Sequence, residues 1–230
     1  TPSVSSAASD VYKRQSFFVP FQNYLNNGYP QSPASFDIVA TEDNTTIEIT
    51  PRKPIVGHPQ NVTFTITLDA GETWSGRATS TAASQHPFGT VVNSDKPIAI
   101  TISDDSLNGT PYGGCADLFG DQIVPTEIVG TEYIAIKGNL NGPDKVFFIP
   151  TEPNTTVSVN GNVVTTLNSL TSIYTHTLYA NSAFYESSSP VYALHLTGFG
   201  CEVGGALLPP IVCTGSQEVA FIRSTNEFIG

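Results

Sequence analysis

The chain has no methionine in its 230 residues, a single tryptophan, three cysteines, and charged side chains at only 13% of positions. Each shortage excludes something. Without Met the chain carries no initiator, so any export leader is expected to lie outside this sequence. Three cysteines are too few for a disulfide scaffold, and a chain of this length buries a core without one. Cations are scarce relative to anions: nine Lys and Arg against 20 Asp and Glu leave a net charge of −11. That balance repels nucleic acid and anionic membrane surfaces alike. No stretch approaches the roughly 18 consecutive apolar residues of a helical membrane span, so no membrane insertion is expected in this segment.

What the chain does have is punctuation and alternation. Nineteen glycines and 17 prolines cut short any helix and fit frequent turns. Val62, Phe64, Ile66 and Leu68 alternate with Thr63, Thr65 and Thr67, which places one face in a core and one in water. Asp69-Ala70-Gly71-Glu72 then turns the chain into a strand carrying Trp74. Asn160-Gly161 accepts the positive φ angles of a tight hairpin. Further strands are expected at Glu132–Lys137, Ser172–Leu178 and Glu218–Arg223, with another beginning at Phe228. Residues 1–16 are set aside as a non-domain segment, an assembly scar, because Lys13-Arg14 is foreign to so acidic a chain.

The most informative pattern is internal. Phe36–Ile49 contains Thr41-Glu42-Asp43-Asn44-Thr45-Thr46, and Val146–Val159 contains Thr151-Glu152-Pro153-Asn154-Thr155-Thr156. A second echo follows in the same order, Pro97–Ile102 with Pro190–Leu196, each a strand opened by proline. A strand unit is thus read as occurring twice. The expected fold is all-β, a duplicated antiparallel unit in a sandwich-like arrangement, with propeller-like repeats as the alternative. The first unit is placed at 17–131, and the second, truncated at its C-terminus, at 132–230.

Between the copies lies an acidic stretch, 104–121, read as an irregular loop. Asp104, Asp105, Asn108, Tyr112, Asp117 and Asp121 are its candidate ligand-binding residues, since recognition concentrates in long loops on rigid sheets. The four aspartates are also weak candidates for Ca²⁺, a hard cation that takes carboxylate oxygens, although their spacing matches no calcium motif. Turn-forming aspartates on a solvated loop are the plainer reading, and no other metal site is indicated. Among the cysteines a Cys201–Cys213 bridge across a short Gly/Pro-rich excursion is the first candidate, and Cys115–Cys201 the alternative. His58, His86, His176 and His195 sit in unrelated contexts, with His195 expected on a sheet surface. No nucleophile motif accompanies them, so no catalytic residue is assigned. Trp74 and the tyrosines read mainly as core, and the Asn44 and Asn154 sequons as turn chemistry.

Several segments resemble one family. Gly114-Cys115-Ala116-Asp117-Leu118-Phe119-Gly120-Asp121-Gln122-Ile123-Val124-Pro125 is similar to the N-terminal domain of IgGFc-binding proteins. So are Gly130-Thr131-Glu132-Tyr133, Gly200–Pro210, and Cys213-Thr214-Gly215-Ser216. The resemblance implies a domain of large modular extracellular proteins, secreted or on the cell surface, that binds rather than catalyses. Its expected partner is an extracellular protein, with immunoglobulin Fc implied by the family's name, or a glycan. A structural spacer and a carbohydrate-active hydrolase are the alternative functions.

Overall fold

The computed structural model describes residues 14–213, and these are all-β; their only helices are three short 3₁₀ turns. The first half supplies β1 (Gln15–Val19), β2 (Ser35–Ala40), β3 (Thr45–Thr50), β4 (Phe64–Leu68), β5 (Thr73–Arg77), β6 (Thr90–Ser94), β7 (Ile98–Asn108) and β8 (Ala116–Ile123). They form two sheets, β1-β6-β3-β4 and β5-β2-β7-β8. The second half supplies β9 (Glu132–Ile136), β10 (Asn139–Leu140), β11 (Asp144–Pro150), β12 (Thr155–Val159), β13 (Asn162–Leu167), β14 (Tyr174–Leu178), β15 (Ser182–Ser187), β16 (Val191–Gly200) and β17 (Glu202–Leu207). Its sheets run β13-β12-β15-β9 and β10-β16-β11-β14, with β17 added beside β16.

Leaving aside the two-residue β10, the two strand orders coincide. Read from β9, the second half gives β9-β15-β12-β13 and β14-β11-β16-β17 against β1-β6-β3-β4 and β5-β2-β7-β8. Within each half the chain passes back and forth between two sheets. The four small antiparallel sheets together are arranged like the blades of a four-bladed propeller, the alternative that the internal echo suggested.

The echoed motif does the same work in both places. The Thr41 and Thr151 hydroxyls each donate to a proline carbonyl, Pro97 and Pro190, at 2.7 Å. The Thr45 and Thr155 hydroxyls each donate to the carbonyl of the glutamate three residues back. Asn44 and Asn154 between them take φ of 54° and 61°, the left-handed turn conformation that asparagine tolerates. Asn160-Gly161 also has both φ angles positive, 49° and 79°, and joins β12 to β13 as a tight hairpin.

Burial follows the apolar pattern. In β2, Phe36, Ile38 and Ala40 point inward while Ser35, Asp37 and Val39 alternate outward. The runs Val146–Ile149 of β11 and Val191–Leu196 of β16 have no alternation and are buried on both faces. Phe147, Ile149, Tyr192 and Leu194 join the larger core, which the two N-terminal sheets share. Val146, Phe148, Val191 and Ala193 join a smaller core under the β9 sheet. One sheet of the second half thus serves both cores and binds the halves together.

Several expectations need correction. Val62 lies outside β4 and is exposed, and Phe64 and Ile66 are only half-buried, because β4 is an edge strand with one neighbour. Gln15 and Ser16, set aside with the N-terminal segment, belong to β1 and pair with Ser94 and Asn93. Residues 104–121 are mostly strand: the β7–β8 ladder continues past Asp104↔Phe119 to Asn108↔Ala116. Only residues 109–115 remain as connection. The strands expected at Glu218–Arg223 and from Phe228 lie outside the described residues, as do residues 1–13.

Candidate functional site

The long β7–β8 hairpin and its counterpart β16–β17 meet at their tips. Cys115, just before β8, is disulfide-bonded to Cys201, just before β17. The Cys201–Cys213 pairing is thereby excluded: the sulfur of Cys201 is already committed, because β8 and β17 pack side by side. Along that contact the carboxylates of β8 answer the free edge of β17. Asp117 accepts from the Val203 N–H and Asp121 from the Leu207 N–H, both at 2.7 Å. Between them Phe119 is buried against Gly205, where a Cβ would lie 2.0 Å from the ring. Only glycine admits the ring so close to the β17 backbone.

The six candidate ligand residues do not share one pocket. Asp104 and Tyr112 are buried, and the Tyr112 hydroxyl donates to the Pro143 carbonyl at 3.0 Å. Asp105 and Asn108 are exposed. The Asn108 Oδ1 is occupied by the N–H and hydroxyl of Thr110. Asp117 and Asp121 are half-buried against β17. The four aspartates do not converge on a common point: among the described residues the one group of donors close enough to hold an ion is Cys115, Cys201 and Glu202.

Asp104 instead centres a buried polar network. A break in ladder register between Asp104 and Leu107, with Ser106 at φ 50°, opens β7 toward residues 22–28. Asp104 accepts from Gln22 Nε2 and from Asn27 Nδ2, each at 2.7 Å, and its Oδ2 lies 3.3 Å from His86 Nδ1. His86 in turn faces the Gln22 carbonyl at 2.9 Å and Asn27 Oδ1 at 3.1 Å. Burial, with a smaller push from the Asp105 charge, raises the Asp104 pKa above the ordinary carboxylate value against the lowering effects of His86, Gln22 and Asn27. This network was not foreseen, since its members are spread over 82 positions.

A second pair joins Asp144 to His195 at 3.0 Å, which corrects the expectation that His195 faces a sheet surface: it is 6% exposed. Burial pushes Asp144 up, but hydrogen bonds from His195, the Gly138 N–H and Thr197 outweigh it and hold the carboxyl below its ordinary value. A depressed carboxylate contributes stability that is full above the unfolded value, near pH 4, and is lost as pH falls through the folded one. Asp144→Asn is therefore expected to destabilise at neutral pH by about 1.5–3 kcal/mol. It should also flatten the acid limb of unfolding midpoints measured between pH 7 and pH 2.5. Asp104, raised, has the opposite sign: its contribution is full below the unfolded value and is lost as pH rises through the folded one.

Two exposed apolar side chains flank the clasp, Leu118 at 64% and Phe199 at 70% exposure. Beside them stand Asp105, Asp117 and Glu202. The Asp117 carboxylate, by hydrogen bonding and by charge, raises the Glu202 acid above its ordinary value. The sequence offered one signal for this tip, the matching Gly-Cys pairs at 114–115 and 200–201.

Among curated proteins none matches the chain, and among solved structures none does. The family model described as IgGFc binding protein matches residues 11–229, nearly the whole length, taking in both halves and the clasped tip. The chain belongs to the IgGFc-binding protein family.

Proposed function

We propose that this chain is an extracellular binding module whose recognition surface is the disulfide-clasped tip of the β7–β8 and β16–β17 hairpins. The family match carries the reading of the chain as a binder. The Cys115–Cys201 bond suits an oxidising, extracellular setting, secreted or at a cell surface. The tip combines large exposed apolar groups with carboxylates on a covalently fixed frame, which lowers the entropy cost of presenting them. Both histidine–aspartate pairs are buried and tied into the fold, so neither offers a substrate a general base. We also take the two halves to be copies of one ancestral unit, on the strength of the coinciding strand orders.

The partner that the family suggests is immunoglobulin Fc, and biolayer interferometry on the purified, oxidised chain tests it. Saturable binding is expected. Leu118→Asp with Phe199→Asp should weaken it about tenfold or more, the effect of losing 1.4 kcal/mol of apolar contact. Binding unchanged in that variant would place the surface elsewhere. Failure of the parent chain to bind Fc at tens of micromolar would shift the partner to glycans or matrix proteins.

A further inference from the structure

The same tip holds a second capability that does not depend on its role in recognition. The Sγ atoms of Cys115 and Cys201 and a carboxylate oxygen of Glu202 all lie within 4.8 Å of one another. Beside them Asp117 is held to β17, its Oδ2 accepting from the Val203 N–H at 2.7 Å. In the oxidised chain the two sulfurs are spent on each other. We propose that reduction of Cys115–Cys201 converts the tip into a binding site for a borderline divalent cation of the zinc class, with two thiolates and Glu202 as its protein donors and water in the fourth position.

The chemistry fits the donor set. Zinc prefers four ligands in a tetrahedral array and takes thiolate sulfur together with carboxylate oxygen. The bridged cysteines bring their backbones to a Cα separation of 5.4 Å, and the β8–β17 contact keeps them near when the bond opens. That contact does not consist of the disulfide alone: Phe119 packed on Gly205 and the Asp117 and Asp121 hydrogen bonds hold it independently. The site is accessible, since Glu202 is exposed and both cysteines are only partly buried. In reduction by a trialkylphosphine, phosphorus supplies two electrons and leaves as its oxide. Water gives that oxygen and the two protons that appear on Cys115 and Cys201. Metal entry then releases a proton from each thiol to solvent.

Cobalt(II) is the probe, because thiolate ligation to it gives intense sulfur-to-metal charge-transfer bands. The full chain is used in a Cys213→Ser background, so that the tip sulfurs are the only ones present. Phosphine-reduced protein should bind one cobalt ion with charge-transfer and tetrahedral d–d absorption, and zinc should displace it. The oxidised protein should show neither band. Glu202→Gln, at an exposed position where folding is unaffected, should weaken the reduced site on the order of tenfold or more. Equal binding by oxidised and reduced protein, no charge-transfer band on reduction, or an affinity indifferent to Glu202→Gln would each overturn the proposal. So would a band that appears only where circular dichroism shows the sheet signal lost.

Discussion

Replacing Cys115 and Cys201 together by serine is expected to lower the unfolding free energy by about 4–5 kcal/mol, read from urea denaturation followed by circular dichroism. The bond closes a loop with a sequence separation of 86, and the loss of that constraint on the unfolded chain sets the size. The effect should fall on the midpoint. Reduced wild-type protein should unfold with the double variant, because both lack the same cross-link. Cys213→Ser, which leaves the Cys115–Cys201 bond intact, should keep the wild-type midpoint. A double variant as stable as its parent would mean that the contact between β8 and β17 is maintained wholly by packing.

Asp104→Ala should cost nearly as much, about 3–5 kcal/mol, the usual result of removing one member of a buried charged network. The loss has a structural address. Gln22 Nε2 and Asn27 Nδ2 each lose one of two acceptors, keeping the Leu25 and Asp105 carbonyls, and His86 loses the carboxylate beside it, all in a site closed to water. Those residues hold the segment from Gln22 to Gly28 onto β7: the Asn108 N–H donates to the Asn26 carbonyl, and the Gly28 N–H to Ser106. Hydrogen exchange should therefore speed up first at Asn108 and Gly28. Asp104→Asn keeps the shape and one carbonyl acceptor, and its cost should be smaller, about 1–3 kcal/mol. If Asp104→Ala left stability and exchange unchanged, the network would have no role in seating that segment.

The fold was legible where the physics is local. Asn44 and Asn154 with their threonines, the Asn160-Gly161 turn, and the prolines before β7 and β16 announce backbone conformations that neighbours in sequence impose. The apolar runs at Val146–Ile149 and Val191–Leu196 were equally plain. What was not legible depends on residues far apart along the chain. Asp104-Asp105 reads as a turn by composition, but Ile100 and Ile102 before it and Phe119 and Ile123 after it carry the ladder through. Asp117 and Asp121 alternate with Leu118 and Gly120, a strand pattern whose inward face mixes carboxylates with Phe119 and Ile123, because it meets the backbone edge of β17 as well as the core. The pairing of Cys115 with Cys201 was one of two alternatives because loop length favours the near partner, while the packing of two hairpins favours the far one. His86 and His195 looked isolated because each finds its aspartate more than fifteen positions away, on β7 and on β11.

The clasp also decides how the chain would respond to being pulled. Tension that enters before Cys115 and leaves after Cys201 crosses through the sulfur bridge, and residues 116–200 are shielded from it. At 3.3–3.6 Å per extended residue, the separation of 86 amounts to about 300 Å of hidden length. In a protein tethered in flowing fluid, that length is withheld while the bond is oxidised and released when it is reduced, so the redox state of one bond sets how far the module can stretch.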